Sequence, residues 1–314
     1  MMAGASSVRE LESADAGLSS VKLDEVNEDY QGTEISLEDM VASRGIWSRL
    51  EESIMSCVHG EVVDRSPLCA VLDLNGLLLF RETRKDRVIG KPPPFDFRMK
   101  SGRAWLRPNS SVLLLYAFRR FRVGFWSSAM SYNVKSMLSH LLHPFQKPIF
   151  VLSREDTLPD SAPGAKPHAT LKDLTMLWDS VPYMSEKNTV IIDDTPSKTR
   201  LQELNRVIVP EYTGREVGSG SDDDVLIWVI LYLEFCALGT RLDRSIQSPI
   251  GYLEFSDFVK LGRSEDKAIA LLNRIADFDV IQEFDRISSS AEKERVAADP
   301  QPRSGAPLHN RDTI

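Results

Sequence analysis

Polar side chains suited to phosphoryl chemistry follow three short apolar runs of the 314-residue sequence. A carboxylate can attack phosphorus and form an aspartyl phosphate, which divides one difficult step into two. Neighbouring carboxylates can hold Mg²⁺, which prefers oxygen ligands, while a lysine and a hydroxyl can neutralise and position phosphoryl oxygens. The set occurs in this order: Asp73 and Asn75 after the first run, Ser127 after the second, Asp193 and Asp194 after the third, and Lys172 between the last two runs.

Each of these residues alone has a commoner structural interpretation. An aspartate after a strand is most often a turn or helix-cap residue, and Asp194-Thr-Pro could begin a helix with proline near its first position. Ser127 could cap the helix that follows it, and Lys172 could be an exposed surface charge. The ordered set is much rarer by chance than its members, so the sequence favours a phosphoryl site.

The elements that must position these residues alternate between strands and helices. This alternation predicts an α/β fold with a parallel sheet covered by helices on both faces, and ligands bind such sheets at the carboxyl ends of the strands. A helical C-terminal extension is predicted over 252–285. The predicted strands are 68–72, 122–126, 149–152, 189–192 and 207–209, and the predicted helices between them are 112–121, 132–142, 171–178 and 225–238. Residues 80–104, rich in charge and proline, predict an irregular excursion or a hairpin.

Composition and charge exclude several classes of protein. Three cysteines without a CxxC pair fit neither a zinc ribbon nor a disulfide scaffold. The net charge of −8 lies in residues 1–40, which repel nucleic acid and have the wrong sign for a transit peptide. The longest apolar run, 225–233, is far below the ~20 residues of a membrane span. We therefore expect no direct nucleic-acid partner, no membrane span, and a location in the nucleus or the cytoplasm.

Five motifs together carry a resemblance to a known family: Leu72-Asp-Leu-Asn-Gly-Leu77, Arg107-Pro108, Phe125-Trp-Ser-Ser-Ala129, Leu171-Lys-Asp-Leu174 and Val190-Ile-Ile-Asp-Asp-Thr-Pro-Ser197. They resemble the haloacid dehalogenase superfamily, and within it the small phosphatases of the RNA polymerase II C-terminal domain, which carry the NLI-interacting-factor-like domain. The resemblance implies a Rossmann-like parallel sheet, a Mg²⁺ cofactor and a phosphorylated protein or peptide as partner. It also implies Asp73 as nucleophile, Ser127 and Lys172 as phosphate-binding residues (with Lys166 a less favoured register), and a metal site of Asp73, Asp193, Asp194 and the backbone carbonyl of Asn75.

The first motif departs from the family pattern at two positions. Asn75 stands where the family has its second aspartate, and Leu77 stands where it has threonine. In the family that aspartate protonates the leaving alkoxide and then activates water, which an amide cannot do. General acid–base catalysis contributes about 10²–10⁴-fold, so we expect activity on alkyl phosphoesters to fall by about that factor.

The chain is therefore expected to be organised around one phosphatase-like domain at 66–240. An acidic, disordered leader (1–40) and a short helical lead-in (41–65) precede it, and a helical extension (241–287) and a disordered tail (288–314) follow it.

Two functional hypotheses remain open. The first is a phosphoserine or phosphothreonine protein phosphatase of weak or specialised activity, in which Asp73, Asn75 and Lys172 occupy the catalytic positions. The second is a non-catalytic scaffold that binds phosphopeptides or proteins, in the manner of relatives of the presequence receptor of the mitochondrial inner-membrane translocase. The retained Asp73, Ser127, Lys172 and acidic pair favour the first hypothesis.

Overall fold

The computed structural model describes residues 46–60, 65–82, 94–214, 223–242 and 253–298, with side chains given up to 238 and from 253 to 290 in the last two ranges. The predicted acidic leader at 1–40 lies outside the described residues, as do positions 299–314 of the predicted tail.

The centre of the fold is a five-stranded sheet in which every neighbouring pair of strands is parallel. The first strand in the chain is the middle strand of the sheet. The order across the sheet is β10 (Arg206–Ile208), β9 (Thr189–Asp193), β1 (Cys69–Leu72), β5 (Arg122–Trp126) and β6 (Val151–Leu152). The predicted parallel sheet is confirmed, and the five strands overlap the five apolar runs from which they were predicted.

Both faces of the sheet are covered, which explains why its middle strand is apolar throughout rather than alternating. Ala70 and Leu72 belong to the larger hydrophobic core, whereas Cys69 and Val71 face a smaller core on the other side. All four residues of this middle strand are fully buried.

Helices flank the sheet and continue beyond it in the C-terminal part of the chain. The helix from Val225 to Leu242 is apolar on almost every side because it is packed between the sheet and other helices. The helix bounds are α1 Ile46–Val58, α2 Ser110–Arg120, α3 Ser131–Leu141, α4 Thr175–Ser180, α5 Val225–Leu242, α6 Phe255–Arg263, α7 Asp266–Ala276 and α8 Val280–Ala298. None of these described helices combines the length and apolar character that a membrane crossing needs.

The described part of the chain also forms two small antiparallel sheets, the first of which includes a hairpin, one of the two alternatives predicted for 80–104. The excursion at 80–104 contains a three-stranded sheet of β2 (Leu79–Arg81), β4 (Gly102–Leu106) and β3 (Phe97–Met99), in that order. A two-stranded ladder pairs β7 (Leu158–Pro159) with β8 (Thr170–Leu171). The helix predicted from 171 therefore begins only at Thr175, because Leu171 is a strand residue.

The last helix corrects the predicted start of the disordered tail. Residues 288–298 continue the helix that begins at Val280. The apolar spacing ends at Ile287, but the segment beyond it is rich in alanine, glutamate, lysine and arginine, which favour helix without an apolar face.

The segments before and after the central sheet pack against each other. The Trp47 ring lies 5.5 Å from that of Phe258, which in turn lies 6.2 Å from Trp228. Arg274 of α7 forms an ion pair with Glu51 of α1. The N-terminal helix and the C-terminal helices are thus parts of one packed body.

A buried ion pair fastens the helices on the larger core face. Glu234 is completely buried and accepts two hydrogen bonds of 2.8 Å from Arg120, one of 2.6 Å from Ser53, and another from the Tyr116 hydroxyl. Because every partner is a donor, the charge of Glu234 is compensated inside the core.

Candidate functional site

The sheet register brings the sequence-predicted carboxylates together at one edge. Leu72 pairs with Phe125 on one side and with Ile192 on the other. Asp73 therefore leaves the middle strand beside Asp193, while Ser127 follows the neighbouring strand. Oxygen atoms of Asp73, Asp193 and Asp194 lie within 4.8 Å of one another. We call these three residues the acidic cluster.

A tight turn after the first strand brings the backbone of Gly76 against the Asp194 side chain of the acidic cluster. Gly76 has φ +91°, a conformation that side chains disfavour, and a Cβ there would lie 2.6 Å from Asp194 Oδ2. Its N–H donates to the Leu79 carbonyl at 2.8 Å, and its carbonyl accepts the Tyr212 N–H at 2.8 Å. Arg107 donates to the Gly76 carbonyl at 3.3 Å and to the Pro210 carbonyl at 2.9 Å, and so joins the turn to the segment at Pro210.

Lys172 is the buried cation of the site. Its ammonium lies 2.5 Å from Asp193 Oδ2 and 3.2 Å from Asp73 Oδ1. The sequence placed Lys172 at the start of a helix, but it lies in the short loop between β8 and α4. Lys166, the less favoured alternative, is exposed on the preceding loop.

The two neighbouring aspartates of the acidic cluster have different environments. Burial opposes the charge of Asp193, but the ammonium groups of Lys172 and Lys198 hold its pKa below the usual value. Burial raises the pKa of Asp194 to about 7, against the attraction of Lys198 and with a further contribution from the carboxylates of Asp73 and Asp193. Thr195 donates from its N–H to Asp193 Oδ1 at 2.8 Å and from its hydroxyl to Asp194 Oδ2 at 3.1 Å.

The side-chain oxygen of Asn75 makes a hydrogen bond within the turn and is not free to interact with the acidic cluster. Its Oδ1 accepts the backbone N–H of Arg81 at 2.8 Å. Leu77, at the other departure from the family pattern, is completely buried in the larger core.

Ser127 lies at its predicted strand end and is also part of a local turn. It is 2% exposed, its N–H donates to the Leu152 carbonyl at 3.1 Å, and its Oγ accepts the Ala129 N–H at 3.3 Å. Ser127 can therefore make this cap-like contact and also lie at the predicted strand end of the site.

Lys198 is a residue of the site that the sequence interpretation missed. Its ammonium lies 3.7 Å from Asp73 Oδ2, 3.9 Å from Asp193 Oδ1 and 3.9 Å from Asp194 Oδ1. Burial works against its charge, but these three carboxylates raise the pKa of Lys198 above its usual value. The available signal was its spacing of four residues from Asp194.

The donor set fits a hard divalent cation. All three members of the acidic cluster offer carboxylate oxygens, which suit Mg²⁺ or Ca²⁺ better than softer metals. Asp194 Oδ1 is buried and accepts no hydrogen bond from the described residues, so it keeps its lone pairs for a cation. Among the residues that the structure describes, no other group of three acidic, histidine or cysteine side chains is close enough to share an ion.

The fold and the site together define a class of protein. It is a parallel α/β domain with three carboxylates and two lysines gathered where the strands of the sheet end, the place at which such sheets bind ligands.

The chain belongs to the family of NLI interacting factor-like phosphatases, whose model matches residues 68–243. This match confirms the family resemblance of the motifs.

Similar proteins carry related descriptions. An uncharacterized FCP1 homology domain-containing protein of the fission yeast Schizosaccharomyces pombe is 27% identical over 176 residues, which cover 52% of this chain and 69% of the relative. Two solved structures are of the RNA polymerase II CTD phosphatase Fcp1. The fission yeast enzyme bound to beryllium fluoride is 11% identical with a TM-score of 0.31, over 81% of this chain and 70% of that one. The other Fcp1 structure is 15% identical with a TM-score of 0.33, over 78% and 70%.

Proposed function

We propose that the chain is a Mg²⁺-dependent phosphatase-like domain acting on phosphoserine or phosphothreonine in proteins, with turnover impaired at Asn75. The observation that carries the proposal is the buried Asp73 carboxylate, 1% exposed and 3.2 Å from the Lys172 ammonium at the carboxyl edge of the sheet. Membership in a phosphatase family supports the same reaction class.

In the proposed reaction, Asp73 attacks the phosphorus of the ester. A bond forms between a carboxylate oxygen and phosphorus while the ester O–P bond breaks, and the serine or threonine oxygen leaves with the bonding electrons. Lys172 holds the Asp73 carboxylate in place and pairs with the phosphoryl oxygens, which Ser127 also contacts through its hydroxyl. Water then hydrolyses the aspartyl phosphate, which releases phosphate and restores the carboxylate.

The chain lacks a carboxylate at position 75 that could transfer protons during the reaction. The leaving alkoxide needs a proton, and the hydrolytic water must lose one, but an amide is neither an acid nor a base at neutral pH. The Oδ1 atom of Asn75 is already engaged by the Arg81 N–H. Alkyl phosphoesters should therefore react slowly, whereas aryl esters, whose leaving groups need little protonation, should be affected less.

The cation would be held by the carboxylates of Asp73, Asp193 and Asp194, with the backbone carbonyl of Asn75 as a further ligand. When bound, Mg²⁺ supplies positive charge that stabilises the developing charge on the phosphoryl oxygens. The hydrogen bonds from Thr195 restrict the orientations of the Asp193 and Asp194 carboxylates.

Exposed apolar side chains close to the site in sequence suit a protein partner. Met130 and Tyr132 follow the Ser127 turn and are 41% and 60% exposed, and Leu158, on the ladder that leads to Lys172, is 49% exposed. We propose that these side chains contact the peptide around the phosphorylated residue. The expected nuclear or cytoplasmic location belongs to the same proposal.

Hydrolysis of two substrates with Mg²⁺, p-nitrophenyl phosphate and a phosphoserine peptide as the alkyl phosphoester, tests this function in the parent and in the Asn75→Asp and Asp73→Asn variants. Asn75→Asp keeps an oxygen for the Arg81 N–H, so the turn is retained while an acid is supplied. We expect slow turnover in the parent, about 10²–10⁴-fold faster turnover of alkyl phosphoesters in Asn75→Asp, and none in Asp73→Asn. Inactivity of all three folded proteins with both substrates would refute the enzymatic proposal.

A second function, phosphopeptide binding without turnover, is favoured by the engagement of Asn75 in the turn. It predicts an inactive parent that Asn75→Asp revives and that still binds a phosphoserine peptide. Comparison of the parent's turnover with its peptide affinity separates the two functions.

A further inference from the structure

Lys198 is the one cation in the described part of the chain that contacts every member of the acidic cluster. Lys172 reaches Asp73 and Asp193, whereas the Lys198 ammonium lies within 3.9 Å of Asp73, Asp193 and Asp194. It thus occupies a position among the same oxygen atoms that a divalent cation would bind.

The backbone holds Lys198 in this position. It lies in the 3₁₀ turn Pro196–Thr199, and its N–H donates to the Thr195 carbonyl at 3.1 Å. Its carbonyl accepts the N–H of Lys172 at 2.8 Å, so the segments that carry the two lysines are joined directly. The Lys198 side chain is 25% exposed, whereas that of Lys172 is completely buried. The Lys198 side chain is therefore the more accessible of the two to an anion that arrives from solvent.

The net charge of the site depends on Lys198. Three carboxylates and two ammonium groups give a formal charge of −1 when all are ionised. Removal of Lys198 would leave −2 facing a phosphoryl group that itself carries about −1.5 to −2 at neutral pH. Because Asn75 is neutral, it adds no further repulsion at this edge of the sheet.

We propose that Lys198 is a built-in cation of the site: it binds the phosphoryl group directly, allows the anion to bind without divalent metal, and competes with the metal for the acidic cluster. The proposal rests on the proposed phosphoryl site and adds a residue and a mode of regulation to it. Metal binding then displaces the Lys198 ammonium from the three carboxylates, so metal and lysine charge are alternatives rather than additive.

Binding measurements on the full chain test this role without relying on turnover. Inorganic phosphate is titrated in EDTA by calorimetry, and Mn²⁺ binding is followed by electron paramagnetic resonance, for the parent, Lys198→Met and Lys198→Arg. Lys166→Met is the matched control, because Lys166 is exposed and outside the site. We expect Lys198→Met to bind phosphate at least tenfold more weakly and Mn²⁺ at least tenfold more tightly, since one charge-assisted contact is lost and one competing cation is removed.

The other variants separate this role from a merely structural one. Lys198→Arg should retain phosphate binding because it keeps the charge, and Lys166→Met should behave as the parent. Unchanged phosphate and Mn²⁺ affinities in folded Lys198→Met would overturn the proposal, as would a parent that binds no phosphate in EDTA. Should Lys198→Met fail to fold, Lys198→Gln provides the same comparison. A lack of aryl phosphate turnover would count only against the proposed phosphatase activity and not against this role of Lys198, because the binding measurements do not depend on turnover.

Discussion

Replacement of Gly76 by alanine should disturb the acidic cluster through direct contact with Asp194. The new Cβ would lie 2.6 Å from both Cγ and Oδ2 of Asp194, about 0.8 Å short of the ordinary contact distance of 3.4 Å. The Asp194 side chain cannot move away freely, because its Oδ2 accepts a hydrogen bond from the Thr195 hydroxyl. The carboxylate or the turn must therefore move by most of an ångström.

Two costs add in this variant. Alanine at φ +91° pays about 1–2 kcal/mol for the left-handed backbone, and the steric overlap adds about 1–3 kcal/mol, as overpacking usually does. Misplacing one ligand of the acidic cluster should also weaken Mg²⁺ binding by about 10–100-fold.

Gly164→Ala is a matched control that separates these costs. Gly164 has φ +81°, and its added Cβ would meet nothing within 4 Å. It should lose only the backbone part of the unfolding free energy, measured by urea denaturation, and should keep full Mg²⁺ affinity. The reasoning fails if Gly76→Ala is no less stable than Gly164→Ala and binds Mg²⁺ as tightly as the parent.

Two further predictions concern the stability of the helical packing. Glu234→Gln should lower the unfolding free energy by about 3–5 kcal/mol, because it removes the carboxylate charge that the buried Arg120 guanidinium faces. Adding Arg120→Met should recover part of this loss in a urea double-mutant cycle, and strict additivity would contradict the coupling. Hydrogen bonds from Arg286, with Arg119 contributing, lower the pKa of Glu283 from 4.5 to about 2 although burial opposes this. Since the folded pKa is depressed, the stabilisation is complete above pH 4.5 and is lost as pH falls towards 2. Glu283→Gln should therefore be less stable than the parent at pH 7, by only about 1–2 kcal/mol because Arg286 is exposed and its charge is screened by solvent. Urea midpoints should show this difference in stability closing at low pH, and a difference that is constant with pH would contradict the linkage.

The sheet and most of the acidic cluster could be predicted because parallel strands leave a clear signal. A strand buried on both faces must be apolar throughout, so 68–72 and 189–192 were readable as strands, and the rule that parallel strands end at one edge then brought Asp73 near Asp193.

The parts that could not be predicted depend on contacts that leave no periodic pattern. Lys198 reaches the acidic cluster through a short 3₁₀ turn, and Lys172 lies in a loop rather than on a helix, so neither position follows from apolar spacing. The small sheet of Leu79–Arg81, Phe97–Met99 and Gly102–Leu106 has strands of three to five residues, too short for a clear alternation.

The packing of Trp47 and Trp228 against Phe258 has a consequence for how the protein can be divided. A fragment cut at the limits of the family match, 68–243, would omit both Trp47 and Phe258 while keeping Trp228. The helix from Val225 would then present to water an apolar side that is covered in the intact chain. The limits of the family match are thus not the limits of the folding unit, and recombinant fragments of this protein should begin before Ile46 and extend through the helix that begins at Val280 to keep this apolar side covered.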